Sequence, residues 1–568
     1  MTVYYLINEL KVAAQSAQNG VYSSLYFEEM ASRLGVTAEK LPVSQVTETA
    51  FNATDVVLVG AETLAADVVG ALQTATANGA LVIGFATQGA DDLFGLTVKG
   101  KVTQTEPYET IGQFVAPQMV LPSRVDMPLP IMSDVLVTAG GKVQATIQVG
   151  DQLVQGLVAG DNTYYIPFDL PHTLLKIVQG KSNPEGPSGY FPVGRIPDRR
   201  SLGYDFDSTN PVADLYLLLL EKLLWNRKIP MVHVLPTLKD GVTPADILFF
   251  YGGDDDNTCG ELDERASQIM FAKGLPYHLN MMPEGEHGGY RLDRAGMEKI
   301  LARGHELALH YNLTGVPFTK ESFAQQMGTY VEAYQDVPVS NVGHCLANVG
   351  YSEFARWQAE LGVKGDAGMV GTINQADINA FNVYDFGFGT AYPFFIYDDA
   401  DHQSKRLDFC GIPLAYYEPR TGGQYGESDA QLRKCAENAA YYAQPVCLFS
   451  HPHYVAFWQG YDSTMTLRAF DTIHGICAQN GWQVVHTGPD ELCLWWIERD
   501  AAKLTQTETG LTVSLAGDRP MVIKIPLTSE APAVTVDGVS TSVTTKTIGG
   551  LDYALVVVSG KGEHTITY

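Results

Sequence analysis

The chain has 568 residues, 45% of them hydrophobic and 18% charged, with a formal net charge of -27. That length exceeds what one hydrophobic core serves, so three domains are expected. The acidic balance excludes a nucleic-acid footprint and attraction to an anionic membrane surface, both of which need clustered Lys and Arg, and leaves small or neutral partners such as sugars.

The first residues, MTVYYLINELKVAAQ, lack the basic start, apolar core and small-residue cleavage site of a secretory signal, and no apolar run is long enough to cross a bilayer. A cytoplasmic location is the expectation, with an extracytoplasmic one open where a signal has been removed. Seven cysteines, at 259, 345, 410, 435, 447, 477 and 493, lack CxxC spacing, so neither a disulfide framework nor a thiolate zinc site is expected.

Residues 1–230 begin with VYYLI, amphipathic YFEEMASRLG, DVVLVG, helix-like DVVGALQTATANG and ALVIGFA. Alternating strands and helices predict a parallel sheet covered on both faces. Beyond Leu96 the pieces VLVTAGGKVQATIQVG and QGLVAGDNTYYIPFDL read as inserted strands, before the helix ADLYLLLLEKLLW closes the unit. Residues 181–206, KSNPEGPSGYFPVGRIPDRRSLGYDF, form a Gly- and Pro-rich loop that either shapes a cleft or simply crosses the surface.

Residues 231–500 alternate apolar strands (DILFFYGG, HELALHY, CLFSHPHY, WQVVHTG) with helical stretches, and polar residues follow the strands as they do at the rim of a parallel barrel. Residues 501–568 show period-two alternation in LTVSLAG, MVIKIPL and YALVVVSG, with glycine turns, which predicts a small antiparallel β-sandwich. The fold class expected is therefore multidomain α/β with a β-sandwich at the end.

The run FFYGGDDDNT at 249–258 places three acids directly after a buried strand. Adjacent carboxylates repel, and shielding them from water shifts their pKa or demands a cation. A calcium-binding or purely solvated turn is the plain alternative.

Two resemblances add to this. GALVIGFATQGADDLFGL with the later YYIPFDL resembles the glutamine-amidotransferase-like flavodoxin fold, but residues 1–230 contain no cysteine nucleophile, which implies a scaffold, docking or sugar-contacting role. GGDDDN, GHELALHYN (304–312) and LFSHPHY (448–454) together resemble the polysaccharide deacetylase (NodB-homology) superfamily, in a divergent bacterial branch, over about half of the chain. That resemblance implies a distorted, incomplete (β/α) barrel and a metal-dependent hydrolase removing acyl groups, by amide or ester cleavage, from an acylated sugar or polysaccharide.

It also implies a general-base aspartate, a metal aspartate and two metal histidines. Because Asn tolerates a left-handed turn, Asp255-Asp256-Asn257 is read as the motif, with Asp255 the base and Asp256 the ligand; Asp254 is the close second. His310 is the first metal histidine and His305 is structural. Thr314 stands where the second histidine belongs, and a neutral hydroxyl is a poor ligand for zinc, the expected ion. Replacements are His344 and the pair His451 and His453, whose imidazoles share a face if HPH is extended. His453 is taken as a ligand and His451 as the general acid. The resemblance also implies an arginine orienting the base; none stands around His344, and Arg420 is the compensating candidate.

The chemistry implied is carbonyl polarisation by a divalent cation, proton uptake from water by Asp255, and proton delivery by His451. Two alternatives stay open: a glycosidase-like enzyme pairing Asp255 with Glu418, and a degenerate sugar-binding protein. A homo-oligomer stays open too. Tyr311, Tyr392, Tyr454 and Trp458 are candidates for stacking on a sugar, or plain packing.

Overall fold

The computed structural model describes residues 2–17, 21–183, 194–203, 206–256, 260–284, 289–314, 316–370, 384–398, 405–419, 429–457, 463–507, 509–528 and 532–568. The architecture is mixed α/β and multidomain, with several separate sheets.

Strands Val56–Val59 and Leu81–Phe85 are continuous apolar runs buried at every position, the pattern of parallel strands covered on both faces. They pair in parallel with each other and, at either side, with Val3–Ile7 and Thr163–Ile166; Ala38–Pro42 forms the edge. Beyond Thr163–Ile166 the same sheet continues through Gln152–Ala159, Lys142–Val149, Gly112–Val115 and Leu129–Ile131, all antiparallel. Most of the β pieces expected after Leu96 thus extend the sheet, while Val135–Gly140 pairs with Leu96–Val102 in a separate two-stranded sheet. After Leu81–Phe85 the chain turns at Ala86, which has φ 48.

The centre of the molecule is a curled, half-barrel arrangement of two sheets. One has the order Gly252–Asp254, His278–Met281, Glu306–Tyr311, Ser340–Gly343, Gly365–Met369, Arg406–Pro413 and Phe394–Tyr397, parallel except for the last pair. The other has the order Tyr416–Tyr417, Pro445–Phe449, Ile247–Phe250 and Val484–Thr487, all parallel. The chain passes from one sheet to the other across Tyr251, and Ser450 N donates to Gly252 O at 2.7 Å across the seam. The seam is tight: a Cβ on Gly253 would collide with Ser450 O and the Tyr277 hydroxyl, so a glycine is required there.

Two antiparallel sheets face each other across a shared apolar core at the C-terminal end. Their orders are Met231–Val232, Met521–Pro526, Leu551–Val558, Thr544–Ile548 and Lys503–Gln506, Gly510–Leu515, Gly562–Thr567, Val534–Val536, Val539–Thr541. Met231–Val232, counted with the barrel on sequence, instead adds an edge strand here by pairing with Met521–Pro526. The buried Arg499 guanidinium binds these parts together, donating to Ser32 O, Val232 O and His233 O at 2.7–3.0 Å while lying 4.6 Å over the Trp496 ring. No described helix is long and apolar enough to cross a membrane.

Candidate active site

The groups of the site lie at, or just after, the C-terminal ends of parallel strands of the half-barrel, the rim where such folds present side chains. Asp254 ends Gly252–Asp254 and Asp256 follows it; His310 lies near the end of Glu306–Tyr311; His344 follows Ser340–Gly343; Glu418 follows Tyr416–Tyr417; His451 follows Pro445–Phe449.

The triple-acid corner divides where the strand ends at Asp254. Asp254 and Asp256 point to one side, and both stand with His451 in one constellation whose donor atoms lie within 4.8 Å of one another. Asp255 points elsewhere: its Oδ2 accepts from Met282 N at 3.2 Å, and its own N donates to Asn280 O at 3.0 Å. Asp256 itself adopts the left-handed conformation, φ 49, which Asp tolerates as Asn does. Asn257 and Arg420 lie outside the described residues.

A second constellation joins Asp256, His310 and His344. His310 Nε2 is 3.2 Å from Asp256 Oδ1, and His344 Nε2 is 4.0 Å from the same oxygen. His344 opens the short turn His344–Leu346, in which Cys345 and Leu346 both have positive φ. The described part of the 181–206 loop braces this turn: Arg195 Nε donates to Cys345 O at 2.9 Å, Asn183 N to Gly350 O at 2.9 Å, and Asn348 N to Gly194 O at 2.9 Å. The described ends of that loop therefore pack against the turn that carries His344.

On the far side, His451 Nε2 is 3.2 Å from Asp256 Oδ2 and 4.0 Å from Asp254 Oδ2. Its Nδ1 makes a short hydrogen bond to Glu418, whose Oε1 also accepts from His451 N at 3.1 Å. Glu418 holds φ 58, a conformation that costs energy in a non-glycine residue and positions the carboxylate under the ring.

The charges follow from these neighbours. Partial burial raises the Asp256 carboxyl, but His451 and His310 outweigh it and hold it well below the usual carboxylate range. Burial pushes Asp254 up, against the opposing pull of His310 and His451. Burial disfavours a charged His451, yet Asp256 and Glu418 raise it well above an ordinary histidine. Burial, with His310 beside it, pushes His344 down to about 4, leaving a neutral imidazole, the form that binds metals.

The donor set fits a cation. His310 Nδ1 donates to Val342 O at 2.7 Å, so Nε2 is the nitrogen that faces Asp256; burial opposes charge on the ring but Asp254 and Asp256 raise it, so Nε2 carries a proton and, on giving that proton up, a lone pair. That buried lone pair faces a carboxylate oxygen. Two electron-rich atoms so close require a proton or a cation between them, and imidazole oriented by a backbone carbonyl is the usual arrangement of a metal-ligating histidine.

Several residues singled out on sequence stand apart. Thr314 is exposed, its N bonded to Asn312 Oδ1 at 2.8 Å. His453 belongs to neither constellation: Pro452 starts a helical turn, Pro452–Val455, so HPH is not the extended segment that would aim both imidazoles alike. Tyr311 and Tyr392 are core residues, with hydroxyls bonded to Pro317 O and Tyr442 O, while Tyr454 packs on His453 and Trp458 is outside the described residues. His305, buried, bonds Ser267 O at 2.8 Å, a structural role.

No family model matches the sequence, and no curated protein matches it. Solved structures similar in part include a family 4 acetyl xylan esterase from Clostridium thermocellum in complex with a cobalt ion, at 11% identity over 44% of this chain and 91% of that one, TM-score 0.23. The catalytic domain of a peptidoglycan N-acetylglucosamine deacetylase from Eubacterium rectale is 8% identical over 45% of this chain and 93% of that one, TM-score 0.23. An exo-β-1,4-mannosidase from an Opitutaceae bacterium is 8% identical over 30% of this chain, which spans 32% of that enzyme, TM-score 0.22.

Proposed function

We propose that this protein is a metal-dependent hydrolase that removes acyl groups from a carbohydrate, by amide or ester cleavage. The observation that carries the reading is the convergence at one barrel rim of an Asp-His-His group, a separate carboxylate and a carboxylate-held histidine.

Asp256, His310 and His344 are the residues that would hold the metal, with His344 taking the place that Thr314 leaves vacant. A divalent cation, zinc by its preference for imidazole and carboxylate, supplies charge that polarises the acyl carbonyl and makes water more acidic. Asp254, rather than Asp255, takes the proton of the attacking water, since its Oδ2 faces the centre from beside His451. His451 delivers a proton from Nε2 to the departing amine or alkoxide. Glu418 accepts from Nδ1, fixing the ring and favouring its charged form. Because Glu418 is committed to His451, pairing it with Asp255 as glycosidase carboxylates is disfavoured.

The reading extends to the rest of the chain: an amidotransferase-like α/β domain over 1–230, a deacetylase-like barrel over 231–500 and a β-sandwich over 501–568. The parallel strands run in the order 2-1-3-4-5 common to flavodoxin-like sheets, which supports the first assignment. Ala86 occupies the strained turn after the fourth of these strands, where an alanine offers no nucleophile, consistent with a scaffold role.

The experiment is acetate release from acetylated xylan and from N-acetylated chitooligosaccharides, with chelator-stripped protein before and after zinc is restored. Release that needs zinc and disappears in Asp256→Ala supports the reading. Release without metal, or glycosidic cleavage instead, contradicts it.

A further inference from the structure

Asp254 is held by a buried polar chain that no step above uses. Asn280 Nδ2 donates to Asp254 Oδ1 at 2.9 Å, and the other end of that amide, Oδ1, lies 3.1 Å from His278 Nε2. His278 Nδ1 lies 3.0 Å from Glu306 Oε2 and 3.6 Å from Asp490 Oδ1. The two carboxylates are themselves pinned. Glu306 accepts from Asp490 N at 3.0 Å and Glu491 N at 3.1 Å, at the start of helix Pro489–Ala501; Asp490 Oδ1 accepts from Ser340 N at 2.8 Å and Ser340 Oγ at 2.7 Å.

Hydrogen-bond direction fixes the protons. An ionised Asp254 can only accept, so Asn280 must turn its NH2 toward it and its carbonyl toward His278. A carbonyl on one side and a carboxylate on the other both accept, so both ring nitrogens of His278 carry hydrogen. His278, Glu306 and Asp490 lie close enough to hold a cation. Both Glu306 oxygens and Asp490 Oδ1 are nevertheless already committed to backbone N–H groups, the Ser340 hydroxyl and the ring, which makes the imidazolium itself the cation of this cluster.

We propose that His278 and Asn280 are positioning residues: a fixed imidazolium sets the Asn280 amide so that it donates to Asp254, anchoring Oδ1 and leaving Oδ2 for the water. The catalytic consequence rests on Asp254 being the base; the proton arrangement does not. Burial opposes charge on His278, but Asp490 and Glu306, the charged groups facing the ring, raise it to about 8.

Ring nitrogen NMR on histidine-labelled protein at neutral pH reads the arrangement without any reaction, with His278 assigned by its loss in His278→Gln. Two protonated nitrogens are expected at His278, and a neutral tautomer overturns the proposal. For the consequence, Asn280→Leu and His278→Gln are assayed with zinc-loaded enzyme on p-nitrophenyl acetate, beside calorimetric zinc affinity. The expected result is a kcat lower by about 10–100-fold in Asn280→Leu, KM and zinc affinity within about twofold of wild type, and a smaller loss in His278→Gln, which can still donate to Asn280. An unchanged kcat in Asn280→Leu, or zinc affinity falling in step with kcat, overturns the positioning role. A wild type that releases no acyl group at all sinks the hydrolase reading, and the ring signature still decides the proton arrangement.

Discussion

Replacing His278 by glutamine removes a wholly buried imidazolium while keeping a side chain that can donate to Asn280. Its folded-state pKa of about 8, against 6.5 for the free side chain, corresponds to about 2 kcal/mol of stability. Because the folded value is the higher one, this contribution is complete below pH 6.5 and is lost as pH rises through about 8. Asp490 also holds a proton in the fold: burial, with Glu306 adding to it, raises its carboxyl to about 7 against the pull of His278. Urea unfolding of both proteins, followed by tryptophan fluorescence from about pH 6 to about pH 9, measures the difference directly. The wild-type advantage is expected to shrink by about 2 kcal/mol across that range. Parallel curves would refute the reasoning, since they would mean that His278 carries no extra proton in the fold.

Three further outcomes are expected. Asp254→Asn should lower kcat by about 10²–10⁴-fold with zinc retained, whereas Asp255→Asn should leave kcat near wild type and cost about 1–3 kcal/mol of stability, because Met282 N loses a charged acceptor; steady-state kinetics and urea midpoints separate the two. Glu418→Gln should reduce kcat by at least about 10²-fold by depriving His451 of the carboxylate that favours its charged form, and a variant with wild-type kcat removes His451 from the reaction. Gly253→Ala should destabilise by at least about 1–3 kcal/mol, read as a lower melting temperature, since its methyl group meets Ser450 O and the Tyr277 hydroxyl at the seam between the two sheets.

Much of the strand and helix order was legible because its signals are local. The apolar runs VVLV and LVIGF are buried at every position, and the alternation in GLTVSL puts Leu511, Val513 and Leu515 in the core. The carboxylate register was harder to read: the strand ends at Asp254 and Asp256 is left-handed, so the shared side of Asp254 and Asp256 comes from the turn rather than from alternation. Applying alternation to HPH failed because Pro452 starts a helical turn. Other features depend on distant pairings that a sequence does not display. His344 meets Asp256 only through the order of strands in the sheet, and the Glu418–His451 contact joins residues from neighbouring parallel strands. His278 and Asn280 sit two apart on a strand, on one face, which is a usable signal only once Asp254 is known to lie beside that strand.

Calorimetric zinc titration of chelator-stripped protein settles whether the rim holds a cation and through which side chains. The expected result is one site in the wild type, with affinity lowered by at least about 10-fold in His310→Ala and His344→Ala and unchanged in Thr314→Ala and His453→Ala. Binding that survives loss of His344, or that depends on His453 instead, would contradict the arrangement proposed for Asp256, His310 and His344.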